Sequence, residues 1–174
     1  MINIILKENK KNYTLPLKAS DWTEIKSLID DTVINDYEFE VDTNNAYYDM
    51  LPLHVDLEQL DKIAKDLEVL ENRTEINWLR AIYDADELGK ITLKTSLLKQ
   101  SKIGAAIAAL FEKKYYFDEC MDEADYAKQE YNIGNLDYLD ISEEIADCLD
   151  WKKVYDKFLA EKAIKINGGI LTIV

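Results

Sequence analysis

The sequence predicts an α+β protein: an elongated chain of small modules, mixed α/β at both ends with a helical middle. Three observations carry this reading. Alternating or apolar runs near the amino terminus read as strands. Apolar residues recur at three- and four-residue spacing from Leu57 to Leu70, and Asn167-Gly168-Gly169 joins two apolar runs near the carboxy terminus. The expected modules are an N-terminal mixed α/β module at 1–55, a helical middle module at 56–110 and a C-terminal acidic α/β module at 111–174.

In the first module, Asn3 to Lys7 and Tyr13 to Leu17 are the expected strands, with Asn9-Lys10-Lys11-Asn12 as the turn between them. A helix should follow with Asp21 as N-cap, Glu24 as its capping-box partner, and Trp22, Ile25, Leu28 and Ile29 on one face. Tyr37-Glu38-Phe39-Glu40-Val41 alternates strictly, as a half-exposed strand does. In the middle, Asp56 followed by Gln59 predicts the start of a helix carrying Leu57, Leu60, Ile63, Ala64, Leu67 and Leu70. A second helix is expected from Thr74 to Leu88, with Ile76, Leu79, Ile82 and Tyr83 on its apolar face and Gly89 ending it. A third covers about Ile103 to Lys114. The last module should hold Asp122 to Tyr131, a loop around Gly134, Ser142 to Cys148 capped by Ser142, and Trp151 to Glu161. Strands at Ala163 to Ile166 and Ile170 to Val174 close it.

The chain has 174 residues and a formal net charge of -14. With 48% hydrophobic residues, eleven Tyr and three Trp, it has enough apolar surface to fold despite that charge. The run Met1 to Lys7 is too short for a signal peptide and has no basic region before it. The most apolar stretch, Ile103 to Phe111, is bounded by Lys102 and Lys113, far short of the roughly 20 residues that span a bilayer. Cys120 and Cys148 are too few for a disulfide framework and have no His or Cys near them at metal-ligand spacing. A cytoplasmic location is therefore expected.

The charges are distributed in tracts. Asp30, Asp31, Asp36, Glu38, Glu40, Asp42, Asp49, Asp56, Glu58 and Asp61 lie between Lys26 and Lys62 with only His54 as a possible cation. A second tract runs through Asp118, Glu119, Asp122, Glu123, Asp125, Glu130, Asp137, Asp140, Glu143, Glu144, Asp147 and Asp150, interrupted only by Lys128. Between them Lys90, Lys94, Lys99 and Lys102 make a locally basic stretch. Duplex DNA, with one negative charge per roughly 1.7 Å, would be repelled by such a protein, so no direct nucleic-acid binding is expected. A basic cleft would be attracted instead. Carboxylates three or four residues apart on a helix are neighbours at roughly 5 to 6 Å, close to the roughly 7 Å between phosphates along one strand. Acidic tracts also serve merely as solvated faces, so charge alone does not establish mimicry of DNA.

Catalytic and metal chemistry find no motif. His54 is the one histidine, beside Pro52, and nothing around it supports a nucleophile-histidine arrangement. An EF-hand counted from Asp118 would need Gly and Glu where Glu123 and Gln129 stand. Gly168-Gly169 precedes a strand rather than a helix, unlike a phosphate-binding loop. The expectation is no enzyme activity, no catalytic or cofactor-binding residue, no cofactor and no metal. Tyr47, Tyr48, Tyr115, Tyr116, Phe117, Tyr126, Tyr131, Tyr138, Trp151 and Tyr155 suit core and interface packing better than base stacking, given the acid around them.

At the carboxy-terminal module, Tyr115-Tyr116-Phe117-Asp118, the acidic helix from Asp122, Tyr131 and Leu136, Ile141 through Leu149, and Asp150-Trp151-Lys152-Lys153-Val154 follow one another in an order that resembles the end of the ArdA-type antirestriction proteins. A weaker likeness covers Tyr37-Glu38 and the helix from Leu57 to Leu70. The chain departs from the family at Tyr155-Asp156-Lys157, where Gly-Arg-Asp is usual, lacks the proline of the preceding stretch, and carries Lys90 to Lys102 as a recast middle. The resemblance implies a homodimer that imitates bent duplex DNA and competes for the DNA-binding groove of the methyltransferase core of a type I restriction-modification enzyme. On formal charge a dimer carries twice -14, which matches about 48 Å of duplex. The partner-binding surface would comprise Asp30, Asp31, Asp36, Glu38, Glu40, Asp42 and Asp49 in the first tract. From the second it would take Asp118, Glu119, Asp122, Glu123, Asp125, Asp137, Asp140, Glu143, Glu144, Asp147 and Asp150. The alternatives are an acidic inhibitor of another nucleic-acid enzyme, such as a CRISPR effector, and a non-enzymatic acidic adaptor.

Overall fold

The computed structural model describes residues 1–28, 38–52, 55–93 and 101–174. The expectations for Ile29, Asp30, Asp31, Asp36, Tyr37, His54, Lys94 and Lys99 lie outside the described residues. Helices and two small antiparallel sheets make it an α+β protein. Two compact units divide the chain, one built from Met1–Asn77 and Lys94–Ile107, the other from Trp78–Leu93 and Ala108–Val174. The residues expected as a middle module are thus shared between the two.

The first unit begins with β1 (Ile2–Leu6) and β2 (Asn12–Leu15), followed by α1 (Ala19–Ser27) and β3 (Phe39–Val41). Both neighbours pair with β1 in antiparallel register, Ile4 standing opposite Tyr13 on one side and Val41 on the other. Alternation sets the faces: Ile2, Ile4, Leu6, Tyr13 and Leu15 are buried, and Asn3, Ile5, Asn12 and Thr14 are exposed. The helix α2 (Leu57–Asn72) packs against β2. Its Leu57, Leu60, Ile63, Ala64, Leu67 and Leu70 are all buried, as their spacing predicts, and each fully buried Leu contributes roughly 2 kcal/mol. Asp56 is its N-cap and accepts the backbone N–H of Gln59 at 2.7 Å.

The start of α1 differs from the expectation. Lys18 occupies the N-cap position, and Asp21 sits in the first turn, where its carboxylate accepts the backbone N–H of Lys18 at 3.0 Å. An acid at this position satisfies an orphan donor from inside the helix and suits the positive helix end, so the same Asp marks a start three residues earlier than expected, with Lys18 in place of Asp21 at the N-cap.

Asp61 is the one buried charged or polar residue among those described. Its carboxylate accepts the backbone N–H of Leu17 at 2.6 Å and meets the Lys65 ammonium at 2.8 Å. The segment leaving β2 is thereby tied to α2.

The second unit contains β4 (Tyr115–Glu119), α5 (Glu123–Asn132), α6 (Glu143–Ala146), α7 (Trp151–Phe158), β5 (Ala163–Ile166) and β6 (Gly169–Ile173). Two further helices, α3 (Ile76–Glu87) and α4 (Lys102–Phe111), run through the division between the units. The stop of α3 is as expected: Gly89 has φ +66, and the N–H groups of Gly89 and Lys90 return to the carbonyls of Asp86 and Ala85, each at 2.9 Å. Strand order in the second sheet is β4-β6-β5, all antiparallel. Helices α5 and α7 pack together, and Tyr126, Leu136, Trp151, Val154, Tyr155 and Ile170 share one core. Each buried tyrosine hydroxyl has a partner: Tyr126 meets the Thr172 hydroxyl at 2.9 Å, and Tyr155 donates to the Ala163 carbonyl. Ser142 stands at the N-cap of α6 but makes no capping bond with its side chain. No helix of the described residues is long and apolar enough to cross a membrane.

The hairpin turn is Asn167-Gly168, because Ile166 pairs with Gly169 and Gly169 is already in the strand. A Cβ added at Gly169 would lie 2.1 Å from the carbonyl oxygen of Asp118 and 2.8 Å from the Phe117 ring, so only glycine lets β4 approach. Replacing Gly169 with Ala should lower stability by about 2 kcal/mol, measured as the urea midpoint. An unchanged midpoint would contradict this packing.

Candidate interaction surface

The carboxylates of the two tracts do not share one role. Some hold the fold. Asp122 caps α5, accepting the N–H groups of Ala124 and Asp125 at 2.9 and 2.8 Å. Asp150 caps α7, accepting Lys153 N–H at 3.3 Å, and its side chain also meets the Lys153 ammonium at 3.0 Å. Those bonds to Lys153 hold the Asp150 carboxyl below its ordinary pKa. Glu123 is likewise lowered, first by its own backbone N–H and then by Lys152, whose ammonium lies 3.2 Å away. In the first unit, Glu38 pairs with Lys7 at 3.1 Å, and Asp42 accepts the backbone and side-chain nitrogens of Asn44 at 2.9 and 3.0 Å. Glu40, on β3, and Asp49, in the short turn Tyr48–Met50, are exposed. Glu119 is exposed at the end of β4, and Asp125 is exposed in the first turn of α5.

Asp118 is an exception of another kind. It is half-buried in β4, opposite Ile170, and burial pushes its carboxyl pKa up.

The remaining acids of the second tract come together. Asp137, Asp140, Glu143, Glu144 and Asp147 are all exposed. Four of them, Asp137, Asp140, Glu143 and Asp147, line an open depression of about 770 Å³. Glu143 and Asp147 are spaced four apart through α6 and its last turn, which makes them neighbours on one face. Asp140 takes a left-handed backbone, φ +49, at the end of the short turn Asp137–Leu139, a conformation that Asp and Asn tolerate best among residues with a Cβ. Among the described residues, Lys128 is the only cation on the lining.

The floor of the depression was not among the expected site residues. Tyr131, Ile141, Ala146 and Trp151 line it, with the Tyr131 and Trp151 rings 5.3 Å apart at 45°. Tyr131 donates its hydroxyl to the Ile141 carbonyl at 3.1 Å, fixing the loop that carries Asp140 onto α5. The sequence signal for this floor was the aromatic side chains Tyr131 and Trp151, which read as core and interface packing. Gly134 and the short turn Asp137–Leu139 that follows it border the same depression.

Among the described residues no cluster of three or more His, Cys, Asp or Glu could hold a metal ion. Cys120 and Cys148 are exposed free thiols. Comparison with protein-family models, curated proteins and solved structures found no match.

Asp118 provides a test of the electrostatics. Its raised folded-state pKa means that ionisation costs stability above that pKa, and the cost is relieved as pH falls through it. Replacing Asp118 with Asn should therefore raise the thermal midpoint at neutral pH, and the advantage should shrink in acid. A gain independent of pH would contradict the assignment.

Proposed function

We propose that this protein works by occupying a site rather than by chemistry: it presents carboxylates in place of DNA phosphates and competes for the DNA-binding groove of a type I restriction-modification enzyme. The observation that carries the reading is the depression edged by Asp137, Asp140, Glu143 and Asp147, with one lysine among its lining residues. Those side chains stand apart from the carboxylates that cap helices or pair with lysines, so their charge remains available to a partner. Acids held on short turns braced by the α5–α7 core cost little to order on binding, because the backbone beneath them is already set. The net charge of -14 adds a long-range attraction toward a basic groove and repulsion from DNA itself. The order of segments from Tyr115 to Val154, which resembles that of ArdA-type proteins, supports the same target, and a homodimer would lengthen the acidic track.

The experiment is displacement of labelled duplex from the methyltransferase core. The parent chain should displace it. Changing Glu143 to Gln alone should cost about 0.5 kcal/mol or less, as for one exposed charge. Changing Asp137, Asp140 and Asp147 to Asn together with Glu143 and Glu144 to Gln should weaken displacement far more while leaving the thermal midpoint within a few degrees. Equal displacement by that combined variant would remove the proposal for this surface, and an adaptor held through an apolar patch would leave the duplex bound throughout.

A further inference from the structure

The first unit holds a cavity of about 300 Å³ where the β1–β2 hairpin ends against α2. Its base is built by Ile2 and Leu15, which face each other in the strand register, and by Ala64 and Leu67 of α2, all four buried. Half-buried Pro16 and exposed Met1 add an apolar wall that solvent reaches. Pro16 has no N–H with which to extend β2, and the next residue, Leu17, is held to α2 by the bond from its N–H to the Asp61 carboxylate. Ala64, Leu67, Glu68 and Glu71 are spaced three and four apart, so they form one stripe of α2 along the cavity.

Two opposite charges stand at this cavity without partners. Glu71 is engaged, accepting the Tyr47 hydroxyl at 2.5 Å and meeting the Met1 α-ammonium at 3.8 Å. The Lys18 ammonium and the Glu68 carboxylate, both exposed, make no ion pair with each other or with any other described residue.

We infer that this cavity binds a free α-amino acid with a large apolar side chain, such as leucine or phenylalanine. The side chain enters the cavity, the carboxylate faces Lys18 and the ammonium faces Glu68. Simpler guests fit less well. An alkyl carboxylate brings a second negative charge to Glu68, an alkyl amine brings a second positive charge to Lys18, and an amino acid without an apolar side chain leaves the base unfilled. Size agrees. A cavity of roughly 150 Å³ accommodates benzene, so about 300 Å³ suits a guest with about twice as many non-hydrogen atoms, the range of leucine to phenylalanine. Apolar burial supplies most of the affinity, because exposed ion pairs are weak, and the two charges select the head group. All of these residues belong to Met1–Asn77, so the site is independent of the depression in the other unit and of the competition reading.

The test titrates the whole nitrogen-15-labelled chain with leucine, N-acetyl-leucine, leucinamide and glycine. Leucine should shift the backbone N–H resonances of Lys18, Leu67 and Glu68 saturably, with a dissociation constant on the order of 1 mM for so small a guest. N-acetyl-leucine, without the ammonium, and leucinamide, without the carboxylate, should each bind about threefold more weakly, as expected for one exposed ion pair. These two also reproduce the ends of a peptide chain, so tighter binding by either would assign the cavity to a peptide terminus and overturn the inference. Lys18→Gln should weaken leucine about threefold and leave leucinamide unchanged, whereas Glu68→Gln should weaken leucine and leave N-acetyl-leucine unchanged. Both positions are exposed, so these variants test the site with the fold intact. Ala64→Leu, which fills the base, should remove leucine binding. Glycine shifting the same resonances, silence toward leucine, equal affinity for leucine and both analogues, or charge variants that weaken every ligand alike would each overturn the inference.

Discussion

A chain with a net charge of -14 can fold only if its carboxylates stay in water or meet donors, and this constraint organises the rest of the structure. Among the described residues one charged side chain, Asp61, is buried, and it is held by the Leu17 backbone N–H and the Lys65 ammonium. The cores are otherwise aliphatic and aromatic, and the buried tyrosines Tyr126 and Tyr155 satisfy their hydroxyls locally. With charge kept out of the interior, it accumulates at helix starts, on short turns and on the exposed faces of strands.

At those places the acids separate into two kinds. Asp122, Glu123 and Asp150 answer backbone N–H groups or the lysines of α7, so part of their charge is compensated within the fold. Asp137, Asp140, Glu143 and Asp147 gather around a depression that has Lys128 as its one basic residue among those described. The difference has a physical origin in position. The first group stands where helices begin and need acceptors, while the second stands on the connection between α5 and α7, which is free to face outward because Tyr131 and Leu136 anchor it from beneath.

Features governed by local chemistry were legible in the sequence. Asp56 and Gln59 mark the start of α2, Gly89 ends α3, and the alternation of Ile2, Ile4 and Leu6 sets the buried face of β1. Features governed by distant partners were not. The strand β4 reads in sequence as an aromatic cluster, and only its pairing with β6, permitted by Gly169, makes it a strand. Asp21 was legible as a helix-start acid but not as an acid of the first turn, since a carboxylate at either position satisfies an orphan N–H of the helix start, and only the observed bond from Lys18 N–H distinguishes them. For the candidate site, the acidic tract was visible as a run of charges. Its division was not, because Glu123 meets Lys152 across 29 positions and the aromatic floor joins Tyr131 of α5 to Trp151 of α7.

If the exposed carboxylates replace phosphates, binding to a basic groove is dominated by many weak screened charges acting together, whereas a complex held by apolar contact is indifferent to ions. The most direct measurement is the affinity of this protein for the methyltransferase core of a type I restriction-modification enzyme as a function of salt. The account predicts a steep fall, with log affinity declining linearly in log salt as it does for the DNA being displaced. An affinity that stays level from low to physiological salt would contradict it.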